Sequence, residues 1–189
     1  MPRRNLPRRV LTVSVLSAVL VLSVLVPPTQ AARMPSRKAW LQDTASALSG
    51  ARTYVANRAA EGGTKLALNL DIDNTSLQSY YAPGKAIPAT LRLTRFAKRH
   101  GVYILFNTGR NVSLRKKTIA QLKRAGFTVD GLCAHYKGEP LARSKQRCRR
   151  SFVNNGFTII ANIGNRSTDF RGKNYERAYR LPNYGNRLA

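Results

Sequence analysis

At 189 residues the chain has the length for one domain around one core, yet it sets 33 Lys and Arg against eight Asp and Glu, a formal charge of +25. Such an excess lies far outside ordinary solubility tuning and points to an anionic partner or substrate: nucleic acid, a cell-wall polyanion or phosphorylated molecules. A composition that favours arginine on exposed faces is the plainer alternative. Two cysteines without metal-type spacing argue against a zinc module, two histidines supply a histidine mechanism poorly, and helix-turn-helix, zinc-finger and RNA-recognition signatures are missing.

The chain opens with MPRRNLPRR, four arginines and no acid, followed by an uncharged apolar run over 10–26 and the small-residue exit Thr29-Gln30-Ala31. This is the pattern of a secretory signal peptide over 1–31 with cleavage after Ala31, and the general secretory route fits better than a twin-arginine one. An uncleaved anchor is the alternative, although the run falls short of the ~20 residues that cross a bilayer comfortably. Cleavage leaves residues 32–189 as one domain with no stable membrane insertion. Its 29 basic residues stand against the same eight acids, a net +21. In an oxidising compartment Cys133 and Cys148 could close a loop of about 15 residues, worth ~3 kcal/mol in the chain-entropy model.

A helical stripe runs from 36 to about 60 through Trp40, Leu41, Ala45, Leu48, Tyr54 and Val55, and Gly62-Gly63 ends it. The stretch KLALNLDIDNTSL over 65–77 reads as a strand ending in two carboxylates. A loop with Tyr80 and Tyr81 follows, and Pro88 starts a helix that reaches about His100. Next come a strand over 102–106 ending in Asn107-Thr108-Gly109-Arg110, a helix over 113–125 and a short strand over 129–133. A basic helix over 142–155, a strand over 158–163 ending in Gly164-Asn165, and an edge strand over 177–181 complete the order. Strands alternating with helices of about a dozen residues predict an α/β fold, a mainly parallel sheet with helices on both faces.

In such sheets ligands bind beyond the carboxyl ends of the strands, where all three polar clusters fall: Asp71-Asp73-Thr75, Thr108-Gly109-Arg110, and Asn165 with Asp169. Asp71 and Asp73 stand at i and i+2, so an extended backbone points both carboxylates to one side. Like charges that close call for a cation, a shared proton or a catalytic use. For DIDN alone, a strand ending in an Asx-type turn is the alternative.

The order D-x-D-x-T, a strand ending in Thr-Gly-Arg, a helix-borne lysine and Gly-Asn-x-x-x-Asp resembles the haloacid dehalogenase superfamily of phosphotransferases. IPATL, NTGR, KQRCR, GFTIIANIGNRSTDF and RLPNYG resemble, within it, the class III subfamily B acid phosphatases, which include plant vegetative storage proteins and bacterial secreted phosphatases. The resemblance implies a three-layer α/β/α sandwich of Rossmann type with minimal cap, and a secreted, magnesium-dependent phosphatase that hydrolyses phosphomonoesters, nucleotides among them, through an aspartyl phosphate. It makes Asp71 the nucleophile and Asp73 the general acid and base, kept near neutral by its neighbour's charge. Thr108 and Gly109 would hold the phosphoryl oxygens, and Lys145 would neutralise their charge together with that of Asp71. Magnesium would bind Asp71, the carbonyl of Asp73, and Asn165 or Asp169, where the family commonly has an acid in place of Asn165. Because five of the eight residues over 143–150 are basic, Lys145 on its own could be a solvated face. A non-catalytic polyanion-binding or storage protein on the same fold is the competing expectation.

Overall fold

The computed structural model describes Met1 and residues 34–188. The expected leader falls outside the described residues, and those from Met34 onward form one compact unit. No helix among the described residues is long and apolar enough to cross a membrane.

Five parallel strands form one sheet in the order β3-β2-β1-β4-β5: β1 (Leu66–Leu70), β2 (Tyr103–Asn111), β3 (Gly131–His135), β4 (Thr158–Gly164) and β5 (Arg177–Arg180). α3 (Pro88–Arg99) and α4 (Arg115–Arg124) carry the chain outward from β1 to β2 to β3. α5 (Leu141–Asn154) then returns it across the sheet to β4, on the other side of β1. Strand order therefore reverses between β1 and β4, and a crevice opens at their carboxyl ends. The predicted edge strand is β5.

β1 is buried along its whole length, as a central parallel strand must be. Leu66, Leu68 and Leu70 join Ile104, Phe106 and Ile160 under Leu93, Ala97 and Leu122 of α3 and α4. Ala67, on the opposite face, meets Leu105, Ile159 and Phe152 of α5. Period-two alternation thus feeds two cores from one strand. Asn69, also on that second face, donates from its amide to Asn162 of β4 at 2.5 Å, which ties the two central strands through a buried polar contact.

The single helix expected over 36 to about 60 is two helices, α1 (Arg37–Ala47) and α2 (Ala51–Ala60). Gly50 breaks it with a left-handed φ of 72°, a conformation that glycine adopts without a Cβ penalty. The apolar stripe continues across the break because both helices pack against α3, so periodicity alone does not reveal it. Cys133 of β3 and Cys148 of α5 are bonded, with Cα atoms 5.5 Å apart, and so join the outer strand to the helix that carries Lys145.

Candidate active site

Asp71 still belongs to the ladder, its N–H donating to the Ile163 carbonyl at 2.9 Å. The chain then turns sharply: the Ile72 carbonyl accepts from Ser76 and Leu77, and Asn74 sits at φ 54°, a left-handed position that asparagine tolerates. This turn presents the side chains of Asp71 and Asp73 at the mouth of the crevice. With Asn74, Ser79, Tyr80, Gly109, Arg110 and Lys145 they line an open cleft of about 450 Å³. No cap domain interrupts the segment 74–87.

The charged centre is an Asp–Lys–Asp array. Lys145 Nζ lies 2.5 Å from Asp71 Oδ1 and 2.8 Å from Asp169 Oδ1, and it donates to the Asn107 carbonyl at 2.6 Å. The lysine and Asp169 are each 3% exposed, so water screens this array little. Burial pushes the Asp71 carboxyl up to about 6, against the pull of Lys145. Burial also pulls the Lys145 ammonium down, but the charges of Asp71 and Asp169 outweigh it and hold the group above the ordinary lysine value. Of the five basic residues over 143–150, burial therefore singles out two, Lys145 and Arg149.

Asp73 is held differently from the expectation of a near-neutral acid. Burial raises it, but hydrogen bonds from Arg110 and Ser79 prevail and hold it below the usual carboxylate value. Arg110 grips it with both arms of its fork, Nε to Oδ2 at 2.9 Å and Nη2 to Oδ1 at 2.6 Å, and Ser79 donates at 2.5 Å. The charge of Asp71 is present, but a fork in contact outweighs it. Thr108 is buried, its hydroxyl accepting from the Arg110 N–H at 3.1 Å, while Gly109 lines the cleft.

Asp169 follows β4 in a short 3-10 turn (Ser167–Phe170) and accepts from the Arg166 N–H at 2.9 Å. A Cβ added at Gly164 would lie 2.4 Å from Asp169 Oδ2 and 2.6 Å from its Cβ, so only glycine lets the carboxylate approach the strand end. Gly164→Ala is expected to cost about 1–3 kcal/mol, as overpacking does, and to lower any turnover at least tenfold by displacing Asp169. Urea unfolding and kinetics on the same preparation check it; wild-type values for both would show that the carboxylate needs no such space.

Arg149 is fully buried behind the array. It donates to the carbonyls of Asp169 at 2.6 Å and Lys173 at 3.1 Å, and to that of Arg171. Asn162, which accepts from Asn69, donates to the Asp169 carbonyl at 2.9 Å. The sequence by itself assigns no role to Arg110, Gly164, Asn69 or Asn162; Arg149 stands at i+4 from Lys145, on the same face of α5. The signals were adjacency to Thr-Gly, a glycine at a strand end, and asparagines inside apolar strands. Tyr80 and Tyr81 are placed differently: Tyr81 stacks on buried Trp40 at 5.0 Å, whereas Tyr80 is half-exposed at the cleft.

A hard cation fits these donors. Asp71 and Asp169 direct oxygens to one point, now held by the Lys145 ammonium, and Asp169 Oδ1 is buried without a hydrogen bond, its lysine contact being ionic rather than aligned. Among the described residues no three His, Cys, Asp or Glu gather around a point. Magnesium needs only one or two carboxylates when water and substrate complete its shell.

A parallel sheet with a carboxylate crevice at its switch point defines a doubly wound α/β protein whose site lies at the strand carboxyl ends. In agreement, the solved class C acid phosphatase from Bacillus anthracis with tungstate bound superposes with a TM-score of 0.65 at 18% identity, over 78% of this chain and 79% of that one. Residues 81–187 match the model of the HAD superfamily, subfamily IIIB (acid phosphatase), and the chain belongs to that family of phosphatases. That match begins after Asp71 and Asp73. Among curated proteins none matches the chain. The superfamily generally works with a divalent metal ion.

Proposed function

We propose that the chain is an exported, magnesium-dependent phosphomonoesterase that works through an aspartyl phosphate on Asp71. The observation that carries this reading is the buried Asp71–Lys145–Asp169 array opening on a cleft. Asp71, desolvated and in contact with an ammonium, attacks phosphorus; the leaving alkoxide departs with a proton from Asp73, which then takes one from water to release phosphate. A phosphoryl dianion entering the cleft competes with Asp73 for the Arg110 fork; released from it, Asp73 rises in pKa and takes up from solvent the proton that it then gives to the leaving oxygen. Gly109 N–H and Lys145 meet the equatorial oxygens. Asp71, Asp169, Asn165 and the Asp73 carbonyl would hold magnesium, whose bound charge stabilises the charge that develops on the transferring group. The tungstate in the Bacillus anthracis protein, an oxyanion of phosphate-like shape, supports a phosphoryl site on this fold.

The test is hydrolysis of a panel of phosphomonoesters, nucleoside monophosphates included, by the purified protein with and without magnesium. Phosphate release that requires the metal is the expected result. No release above the background rate with any substrate overturns the enzyme reading.

The net +21 after leader removal favours a second reading, binding or storage of polyanions on the same fold. Its mark is DNA binding that weakens steeply with salt by counterion release. Absence of binding at low ionic strength removes it.

A further inference from the structure

The main-chain carbonyl of Leu188 accepts hydrogen bonds from two side-chain amides, Asn165 Nδ2 at 3.1 Å and Asn74 Nδ2 at 3.0 Å. One belongs to the loop after β4 and the other to the loop after β1, so a segment remote in sequence joins the two halves of the cleft. Both amide oxygens face elsewhere: Asn165 Oδ1 meets the Thr75 hydroxyl at 3.4 Å, and Asn74 Oδ1 accepts from the Tyr80 N–H at 2.9 Å. Leu188 is itself fixed, its side chain 1% exposed in a small cluster with Trp40 and Ile87 that is separate from the main core.

A carboxylate offers an oxygen at either end, whereas an amide offers oxygen at one end and a donor at the other. Where Asn165 stands in place of an acid, the ring of a hard cation can use it only if the amide is held one way round. We infer that the Leu188 carbonyl is the device that holds it so: a positioning group that engages Nδ2 of Asn165 and so turns Oδ1 the other way, where beside the single contact from Thr75 it keeps a second lone pair for a cation. The inference rests on the magnesium reading above. It also accounts for a fully buried main-chain carbonyl that collects two amide donors, and it makes the segment over 183–188 part of the cleft's framework rather than a trailing end.

The experiment is calorimetric titration of magnesium into four proteins: the unaltered chain, Leu188→Ser, Asn165→Asp, and the double variant. Leu188→Ser removes an anchor from a cluster of three buried residues and leaves the main core intact, which thermal unfolding verifies. With Asn165 present, Leu188→Ser is expected to weaken magnesium binding about tenfold, the scale on which a lost outer partner acts. In the Asn165→Asp background the same change is expected to leave binding unchanged or to tighten it, because a carboxylate needs no orientation and no longer faces a carbonyl oxygen. Equal weakening in both backgrounds, or none in either, overturns the inference while magnesium binding itself stands. No saturable binding by the unaltered chain overturns the magnesium reading and this inference together.

Discussion

Asp71→Asn is expected to remove turnover by on the order of 10⁴-fold or more, because the amide is nearly the same shape but a far poorer nucleophile, and loss of an attacking group costs on that scale. The fold should survive. Lys145 keeps Asp169 at 2.8 Å and the Asn107 carbonyl at 2.6 Å, and the amide oxygen can still accept where Asp71 Oδ1 does at 2.5 Å. Polyanion binding should be unchanged, since the substitution lies in the cleft and not on the outer basic faces. Kinetics, circular dichroism and salt-dependent DNA binding on the same preparation separate the outcomes. Activity within tenfold of wild type would show that Asp71 is not the attacking group.

Lys145→Met carries the largest expected loss of stability, about 3–5 kcal/mol, the cost of stranding a partner of a buried ion pair. Here two partners are stranded, since Asp71 and Asp169 both lose the ammonium that lies between them. The pH dependence has a definite sign. Asp71 already stands at about 6 in the folded chain and, without the lysine, rises further above its unfolded value. A carboxyl raised on folding supports the native state while protonated and loses that support as pH climbs through the folded pKa. The deficit should therefore be small near pH 4 to 5 and grow as pH rises through 6 and beyond. Added magnesium should recover part of it by supplying a cation to the same oxygens. Urea midpoints at pH 5 and pH 8, with and without the metal, measure both effects; a deficit that grows as pH falls would contradict the assignment. Turnover should drop by at least 10²-fold to 10³-fold, the loss typical when one group that stabilises developing charge is removed.

The two predictions concern residues that differ in how they could be read from sequence. Asp71 stands out locally: two carboxylates closing an apolar run in a chain with eight acids are visible without any coordinates. Lys145 is one of five basic residues in eight, and local pattern does not distinguish it from its neighbours. The resemblance of KQRCR points to it, and physically its place on the buried face of α5, beside Arg149, sets it apart.

By itself the sequence determined the alternation of strands and helices, the parallel sheet, and the carboxyl-end location of Asp71, Thr108 and Asp169. Those follow from periodicities of two and 3.6 residues and from where polar residues interrupt them. The helix break at Gly50 escaped because one glycine in a continuing apolar stripe leaves the period intact. Only the tertiary structure decided which charges touch. Arg110 reaches Asp73 across 37 residues, Asn69 reaches Asn162 across 93, and Leu188 receives Asn74 across 114. It also decided that Asp73 rests as an arginine-held carboxylate, and that Lys145 and Arg149 are buried while other arginines of the same helix meet solvent. A fork at 2.6 Å outweighs a more distant like charge, and this contact is made by the α3 crossover that sets β2 beside β1, which no local spacing encodes.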